Sequence, residues 1–457
     1  MARKTKPPKV PAGRPLNAAG IAKAVDRALA RQPVLDVHTH LYPPSFGTPV
    51  ANRGLKTDPS GLMLWGIDEL VTYHYLAAEL LRVVPRGRPS PAGFWAMPKE
   101  AQADLIWSEL FLARSPLSEA CRGVLTTLAR LGLDPAEKSL APYRRFFASR
   151  DPDRHIDACM RLANVDSITM TNDPFDDNER ARWLKGEVRS DPAIRTDRRF
   201  RPVLRLDPMI VAWPAAAKRL AGWGFQVGET PTAAAVPEIR RFLNEWLDRM
   251  GAAYIAASLP PRFRYPAKWD DTAAAAGEII LKEAILPVCS ERGLAFAAMI
   301  GSERGVNPEL GPAGDMPGRG DVRAVTALCR EFPSNRFLVT MLSRENQHEL
   351  AVAARKFPNL MIFGCWWFLN NPSLIEEITT MRVELLGTSF IPQHSDARIL
   401  EQLIYKWDHS REVIRLVLTS KYQALARTGW PVTEPAIVSD VDRFLRRNAA
   451  EFLGVRA

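Results

Sequence analysis

No run of about eighteen apolar residues occurs in the 457-residue sequence, so no segment reads as a membrane-spanning helix. Cysteine is scarce: Cys121, Cys159, Cys289, Cys329 and Cys365 are odd in number, far apart and never in a CxxC pair. That argues against a disulfide framework and fits reduced, buried thiols in a cytoplasmic protein. The opening stretch MARKTKPPKVPAGR lacks the apolar core of a secretory signal, and residues 1–17 are expected to form a disordered basic arm. The net charge of +10 is spread as scattered arginine, without a basic stripe interleaved with aromatics. Nucleic acid is therefore not an expected partner, whereas an anionic small molecule is. Short internal repeats are also missing, which argues against a solenoid.

What is present is ordinary globular composition, 46% hydrophobic and 25% charged, in a chain long for one domain but within the range of a barrel with insertions. The organising stretch is Val34-Leu35-Asp36-Val37-His38-Thr39-His40, followed by Leu41-Tyr42-Pro43-Pro44. Apolar and β-branched residues running into prolines predict a buried strand that stops there. Side chains alternate along a strand, so His38 and His40 face the same way and can share one divalent metal. Further strands are predicted at residues 165–171, 201–206, 253–258, 294–300, 336–342, 360–367 and 383–391, with helical patterns between them. With the first, that makes eight. Such alternation predicts an α/β fold, a (β/α)8 TIM barrel over residues 18–457 with a helical insertion at about 60–163. First and last strands of a closed barrel are neighbours, so Asp396 in Ser395-Asp396-Ala397-Arg398 can complete a His-His-Asp site.

Taken together the motifs resemble the uronate (glucuronate/galacturonate) isomerases of the amidohydrolase superfamily. The resemblance runs along nearly the whole chain: His38-Thr39-His40-Leu41-Tyr42-Pro43, then Trp65-Gly66-Ile67-Asp68 leading to His74-Tyr75. Arg114-Ser115-Pro116-Leu117, Thr171-Asn172-Asp173-Pro174 and the strand end Arg205-Leu206-Asp207 follow. Gly301 with Arg304 and Asn307, Gly364-Cys365-Trp366-Trp367-Phe368 and Ser395-Asp396-Ala397-Arg398 complete the series. Three departures stand out. Met299 takes the place of a fifth-strand histidine, Leu76-Ala77-Ala78 follows the His-Tyr pair in place of Lys-Trp-Arg, and Ser258-Leu259-Pro260 replaces an Asp-His pair. The chain therefore resembles a divergent member of the family.

The resemblance implies an aldose–ketose isomerase acting on a uronate or related sugar acid by proton transfer through an enediol. Such a reaction needs a base near the C2 hydrogen, an acid near the carbonyl oxygen and a stabiliser of the oxyanion. The implied metal ligands are His38, His40 and Asp396; the cofactor is a divalent ion, zinc before manganese or iron. The implied catalytic groups are His74, Tyr75 and Asp396. Arg205, Arg398, Trp366 and Trp367 are expected to bind substrate, the arginines by gripping the carboxylate. By pattern alone, residues 70, 71, 74, 75, 78 and 81 form one helical stripe that packing would explain. His394 is a further proton-carrier candidate, and Asp173 reads as an Asx-type turn former. Expected partners are a small sugar acid and further copies of the chain in a homo-oligomer, with no nucleic acid and no membrane. The alternatives are a metal-dependent hydrolase of a lactone or amide, with Asp396 as base to an attacking water, or a non-catalytic sugar-acid-binding homologue. The His-x-His reading predicts about one divalent ion per chain. Elemental analysis of His38→Ala/His40→Ala should show it lost, and unchanged metal in a folded double variant would sink the assignment.

Overall fold

The computed structural model describes residues 13–50, 55–85, 88–185, 199–267 and 272–455. Most of the expected basic arm, residues 1–12 of 1–17, lies outside them. Its end is docked: the Leu16 N–H donates to Val432 O at 2.9 Å. Asn17 then caps helix α1 (Ala18–Arg31) by accepting the Gly20 N–H at 2.8 Å.

The strands are β1 (Val34–Asp36), β2 (Val165–Thr169), β3 (Phe200–Arg201), β4 (Leu204–Arg205), β5 (Ile255–Leu259), β6 (Ala295–Ile300), β7 (Arg336–Met341) and β8 (Leu360–Ile362). These are the barrel strands and all pair in parallel, β1 with β2 and β2 with β3, then β4 through β8 in order; apart from them, Ser302–Glu303 and Met316–Pro317 form a two-stranded antiparallel ribbon. β3 and β4 are one stave interrupted at Pro202-Val203, and an Asn172–Leu204 bridge joins the two sheets there. Alternate side chains go to two cores. Ala295, Ala297 and Met299 face the barrel interior with Leu35, Val203 and Leu338, whereas Phe296, Ala298 and Ile300 face the helices with Val34 and Phe337. Burial on both faces is why β6 reads as a continuous apolar run.

The eighth strand expected at residues 383–391 is a correction. Its first half belongs to a helix, Pro372–Leu386, whose buried Ile375, Ile378, Thr379 and Arg382 recur at helical spacing. A short apolar run is ambiguous between strand and helix, and here the longer periodicity decides it. Only Ile391 bridges Phe363 of the seventh stave. The ring closes onto the first stave through single bonds: Asp396 N–H to His38 O at 3.0 Å and His40 N–H to Ala397 O at 2.7 Å.

Between the first two staves lie α2 (Ile67–Val71), α3 (His74–Val83), α4 (Pro91–Trp95), α5 (Lys99–Ile106), α6 (Glu119–Arg130), α7 (Ala141–Ala148) and α8 (Pro152–Ala163). The helix implied by the stripe through residues 70–81 is broken at Thr72-Tyr73. The Thr72 hydroxyl donates to Asp68 O at 2.7 Å and Tyr73 is extended (φ −57°, ψ 141°), so the chain turns before His74. α8 packs on β2 and on the long helix α9 (Gln402–Arg427), as a barrel's own helix does. Among the described residues no helix is long and apolar enough to cross a membrane.

The seam between last and first staves is held by Asp36, which is fully buried. Its carboxylate accepts the Ser395 N–H at 3.1 and 3.3 Å and the Trp407 indole N–H at 2.8 Å. Burial pushes the Asp36 carboxyl up and the neighbouring Lys406 ammonium down; opposite charge between Lys406 and both Asp36 and Asp396 opposes the latter. Asp36→Ala leaves these donors and the buried cation uncompensated and is expected to cost about 3–5 kcal/mol of folding stability. Urea titration at constant m-value measures it, and a loss under about 1 kcal/mol would show that the seam does not depend on this carboxylate.

Candidate active site

β1 ends formally at Asp36, yet the extended chain beyond it keeps alternating its bonds. Thr39 N–H donates to Thr169 O on one side, while His38 O and His40 N–H pair with residues 396–397 on the other. This carries His38 and His40 to the mouth of the barrel, their rings 5.1 Å apart. Asp396 meets them from the last stave: its Oδ1 lies 3.4 Å from Nε2 of His38 and 3.4 Å from Nε2 of His40. The expected constellation is thus assembled across the seam.

These distances fit a shared ion. Two ligands about 2.1 Å from one tetrahedral metal stand about 3.4 Å apart, whereas a direct charge-assisted hydrogen bond would be nearer 2.8 Å. Ionisation fits as well. Burial, then the Arg398 charge, press His40 down to about 3, so its imidazole is neutral at ordinary pH. Burial alone would raise the Asp396 carboxyl, but the two histidines hold it well below the usual carboxylate range. A neutral imidazole at His40 and an ionised carboxylate at Asp396 are ligand states that a divalent ion requires.

The triad opens into a cavity at the mouth. Of the residues anticipated around it, His74, Arg205, Trp366, Trp367 and Arg398 all line it. His74 opens α3 because the chain turns at Thr72-Tyr73; burial and then the Arg398 charge press it to about 3, so it too is neutral. Tyr75 does not line the cavity. Its hydroxyl is sealed and finds no hydrogen-bond partner among the described residues, with its ring 6.0 Å from Phe368. Burial, then Tyr73 and Asp396, push its phenol well above the usual range. Tyr73 does line the cavity, and it went unnoticed in the sequence because an unbroken helix would have put it on another face.

The two arginines differ. Arg205 is half-buried and already paired: its Nε donates to Asp207 Oδ2 at 2.9 Å, a second N–H reaches the same oxygen, and Asp207 Oδ1 accepts the Ser258 N–H at 2.7 Å. Arg398 is exposed, and its guanidinium has no hydrogen-bond or ion-pair partner among the described residues. Arg304 reaches the cavity from a loop beyond β6, paired with Asp315 and 5.2 Å from the Trp367 ring. Met299, in place of the anticipated histidine, supplies apolar wall. Asp173 forms its Asx turn, accepting the Phe175 N–H at 2.8 Å. His394 is fully buried beneath His38 (5.2 Å) with neither ring nitrogen partnered among the described residues, and it does not reach the cavity.

Backbone strain collects here. Asp396 (φ 52°) and Trp367 (φ 47°) are left-handed without being glycine, and both line the cavity. Gly364 (φ 65°) is required outright, since a Cβ there would lie 1.9 Å from the His394 ring. A second buried cluster, His155, Cys159 and Glu401, also gathers metal-ligating atoms. Its His155 Nε2–Glu401 Oε1 distance of 2.7 Å is a hydrogen bond, too short for two ligands of one ion, and Gly66 N–H occupies the same carboxylate. It is a structural node.

No protein-family model and no curated protein sequence matches this chain. Solved structures do. A uronate isomerase from Bacillus halodurans C-125 superposes with a TM-score of 0.88 at 49% identity, over 96% of this chain and 98% of that one. A glucuronate isomerase from Caulobacter crescentus gives a TM-score of 0.73 at 17% identity, covering 98% and 97%. A uronate isomerase from Thermotoga maritima gives 0.65 at 14%, covering 94% and 97%. The last two speak to the fold alone. The first shares half its residues over almost the full length of both molecules. The chain belongs to the uronate isomerase family.

Proposed function

We propose that this protein is a metal-dependent aldose–ketose isomerase acting on a uronate or a related sugar acid. The observation that carries the reading is one cavity holding His38, His40 and Asp396 at metal-ligand spacing beside the unpaired guanidinium of Arg398, in a member of the uronate isomerase family. His38, His40 and Asp396 would hold the divalent ion, zinc being the proposed metal for a histidine-rich set; it would supply Lewis-acid polarisation of the sugar's oxygens. The protein's own groups do the rest. Arg398 grips the substrate carboxylate, a charge-assisted contact for which it has no competing partner. Arg205 cannot give its whole fork to substrate, because Asp207 holds two of its N–H groups; it presents remaining N–H donors to the sugar and fixes the strand end. Trp366 and Trp367 wall the pocket and exclude water.

Proton transfer between C2 and C1 is assigned to His74, Tyr75 and Asp396. Burial keeps His74 neutral, so it can take a proton from carbon and return it. Asp396 is ionised and faces the same space. Tyr75 joins them only when its sealed hydroxyl finds the substrate as the partner it lacks. The hydrolase and non-catalytic readings are not favoured: the family is one of isomerases, and the cavity gathers His38, His40, His74, Asp396 and Arg398. We place the enzyme in the cytoplasm, on its five free cysteines.

Arg398→Met should lower kcat/KM for a uronate by about ten- to a hundred-fold, as expected for losing about 1.5–3 kcal/mol of charge-assisted binding. The loss with the matching neutral aldose should be smaller; equal losses count against a carboxylate contact. Tyr75→Phe removes one hydroxyl and should lower kcat about a hundred-fold with KM little changed. Wild-type rates for Tyr75→Phe beside a loss in Tyr73→Phe would move the role to the phenol that already lines the cavity. Metal-loaded wild type that interconverts neither glucuronate nor galacturonate with its ketose would retire the assignment.

A further inference from the structure

Two parts of the chain far apart in sequence meet at the cavity. The turn after the last stave supplies Asp396 and Arg398, and the entry to the helical excursion supplies Tyr73 and His74. Between them, and lining neither, sits Glu401. It is fully buried, and three residues after Arg398. Its two carboxylate oxygens accept the Gly66 N–H at 3.1 Å each, and Oε1 stands 2.7 Å from His155 Nε2 on α8.

The surrounding backbone repeats the same connection. Leu64 bridges Ile399 in parallel, and the Leu400 N–H donates to Leu64 O at 3.0 Å. Gly66 adopts φ 96°, which a side chain would strain, and in that conformation begins α2. α2 runs only to Val71, and the turn at Thr72-Tyr73 then delivers Tyr73 and His74 to the mouth. On the other side, Gln402 Oε1 accepts the N–H groups of Arg398 (3.0 Å) and Ile399 (3.3 Å). One short turn therefore fixes the backbone that bears Arg398 and the start of the segment that bears His74. A buried carboxylate is costly to keep without strong partners, and its two partners here both belong to the excursion.

We propose that Glu401, seated on His155, is a positioning residue that sets the distance of Tyr73 and His74 from Asp396 and Arg398. The inference rests on the isomerase reading only for its kinetic consequence. Proton transfer to carbon is steep in geometry, and a displacement of about 1 Å can cost a hundred-fold in rate. The carboxylate's own effect on folding is separable from this, because the gentler Gln variant can keep both contacts: the amide oxygen accepts from Gly66, and the amide nitrogen donates to His155 Nε2 in the tautomer that carries its proton on Nδ1.

The test uses the full-length, metal-loaded protein, with Glu401→Ala, Glu401→Gln and His155→Ala. Metal content should stay at the wild-type value in all three. Glu401→Ala should lose at least about ten-fold in kcat with glucuronate while KM moves by less than about three-fold, and Glu401→Gln should recover most of that loss. Hydrogen exchange of the amides in residues 66–77 should accelerate in Glu401→Ala and His155→Ala, while that of residues 34–40 does not. Wild-type kinetics with wild-type exchange in either alanine variant overturns the proposal. So does a loss in Glu401→Gln as large as in Glu401→Ala, which would make Glu401 a fold element without a positioning role. Should Glu401→Ala not fold, His155→Ala carries the same comparison. If the wild type turns over no uronate, the functional reading falls, and the exchange comparison alone decides the case for Glu401.

Discussion

The site depends on how the barrel closes. Seven staves are joined by strand pairing, but the eighth is little more than Ile391 and the turn after it, and its union with the first rests on two backbone bonds and one carboxylate. Asp36 supplies the acceptors that a continuous ladder would otherwise provide. It can do so only because Ser395 and Trp407 satisfy it where water cannot. His38 and His40 stand on one side of this seam and Asp396 on the other. The spacing of the three ligand atoms is therefore a consequence of barrel closure, and a shift of the seam would separate them.

The same turn concentrates strain and charge. Asp396 and Trp367 hold left-handed backbones next to the cavity, and Gly364 yields its side-chain space to His394. Such conformations persist where the surroundings over-determine them. The cations are graded by what they already hold. Arg205 is committed to Asp207 and Arg304 to Asp315, so Arg398 is the cavity arginine left without a partner among the described residues. The cavity thus offers an anion one free guanidinium at the edge of a site where burial keeps the His40 and His74 imidazoles neutral.

The helical excursion between the first two staves does two kinds of work. α8 belongs to the layer around the barrel, packing on β2, whereas the start of α3 reaches the mouth through His74. The break at Thr72-Tyr73 is local chemistry, a threonine hydroxyl taking a helix carbonyl, and it turns a packing stripe into a segment that delivers Tyr73 and His74.

By itself the sequence determined the repeating order of strands and helices, the His-x-His pair and its partner Asp396, because alternation and strand order are properties of chain neighbours and of barrel topology. It also determined the family, through motifs in fixed order. Three matters were decided only in the folded molecule. Whether residues 383–386 are strand or helix turned on packing of Arg382 and its neighbours, to which a short apolar run is blind. Which tyrosine faces the cavity turned on the break at Thr72. Which arginine is free turned on side-chain pairing, Arg205 with Asp207 and Arg304 with Asp315, and that Asp36 and Glu401 matter at all turned on contacts between residues hundreds of positions apart: the Asp36 acceptor with its Ser395 donor, and the Glu401 carboxylate with the Gly66 amide. Hydrogen-bond partners of that range leave no local pattern, since each residue alone reads as an ordinary charge in an ordinary strand or helix.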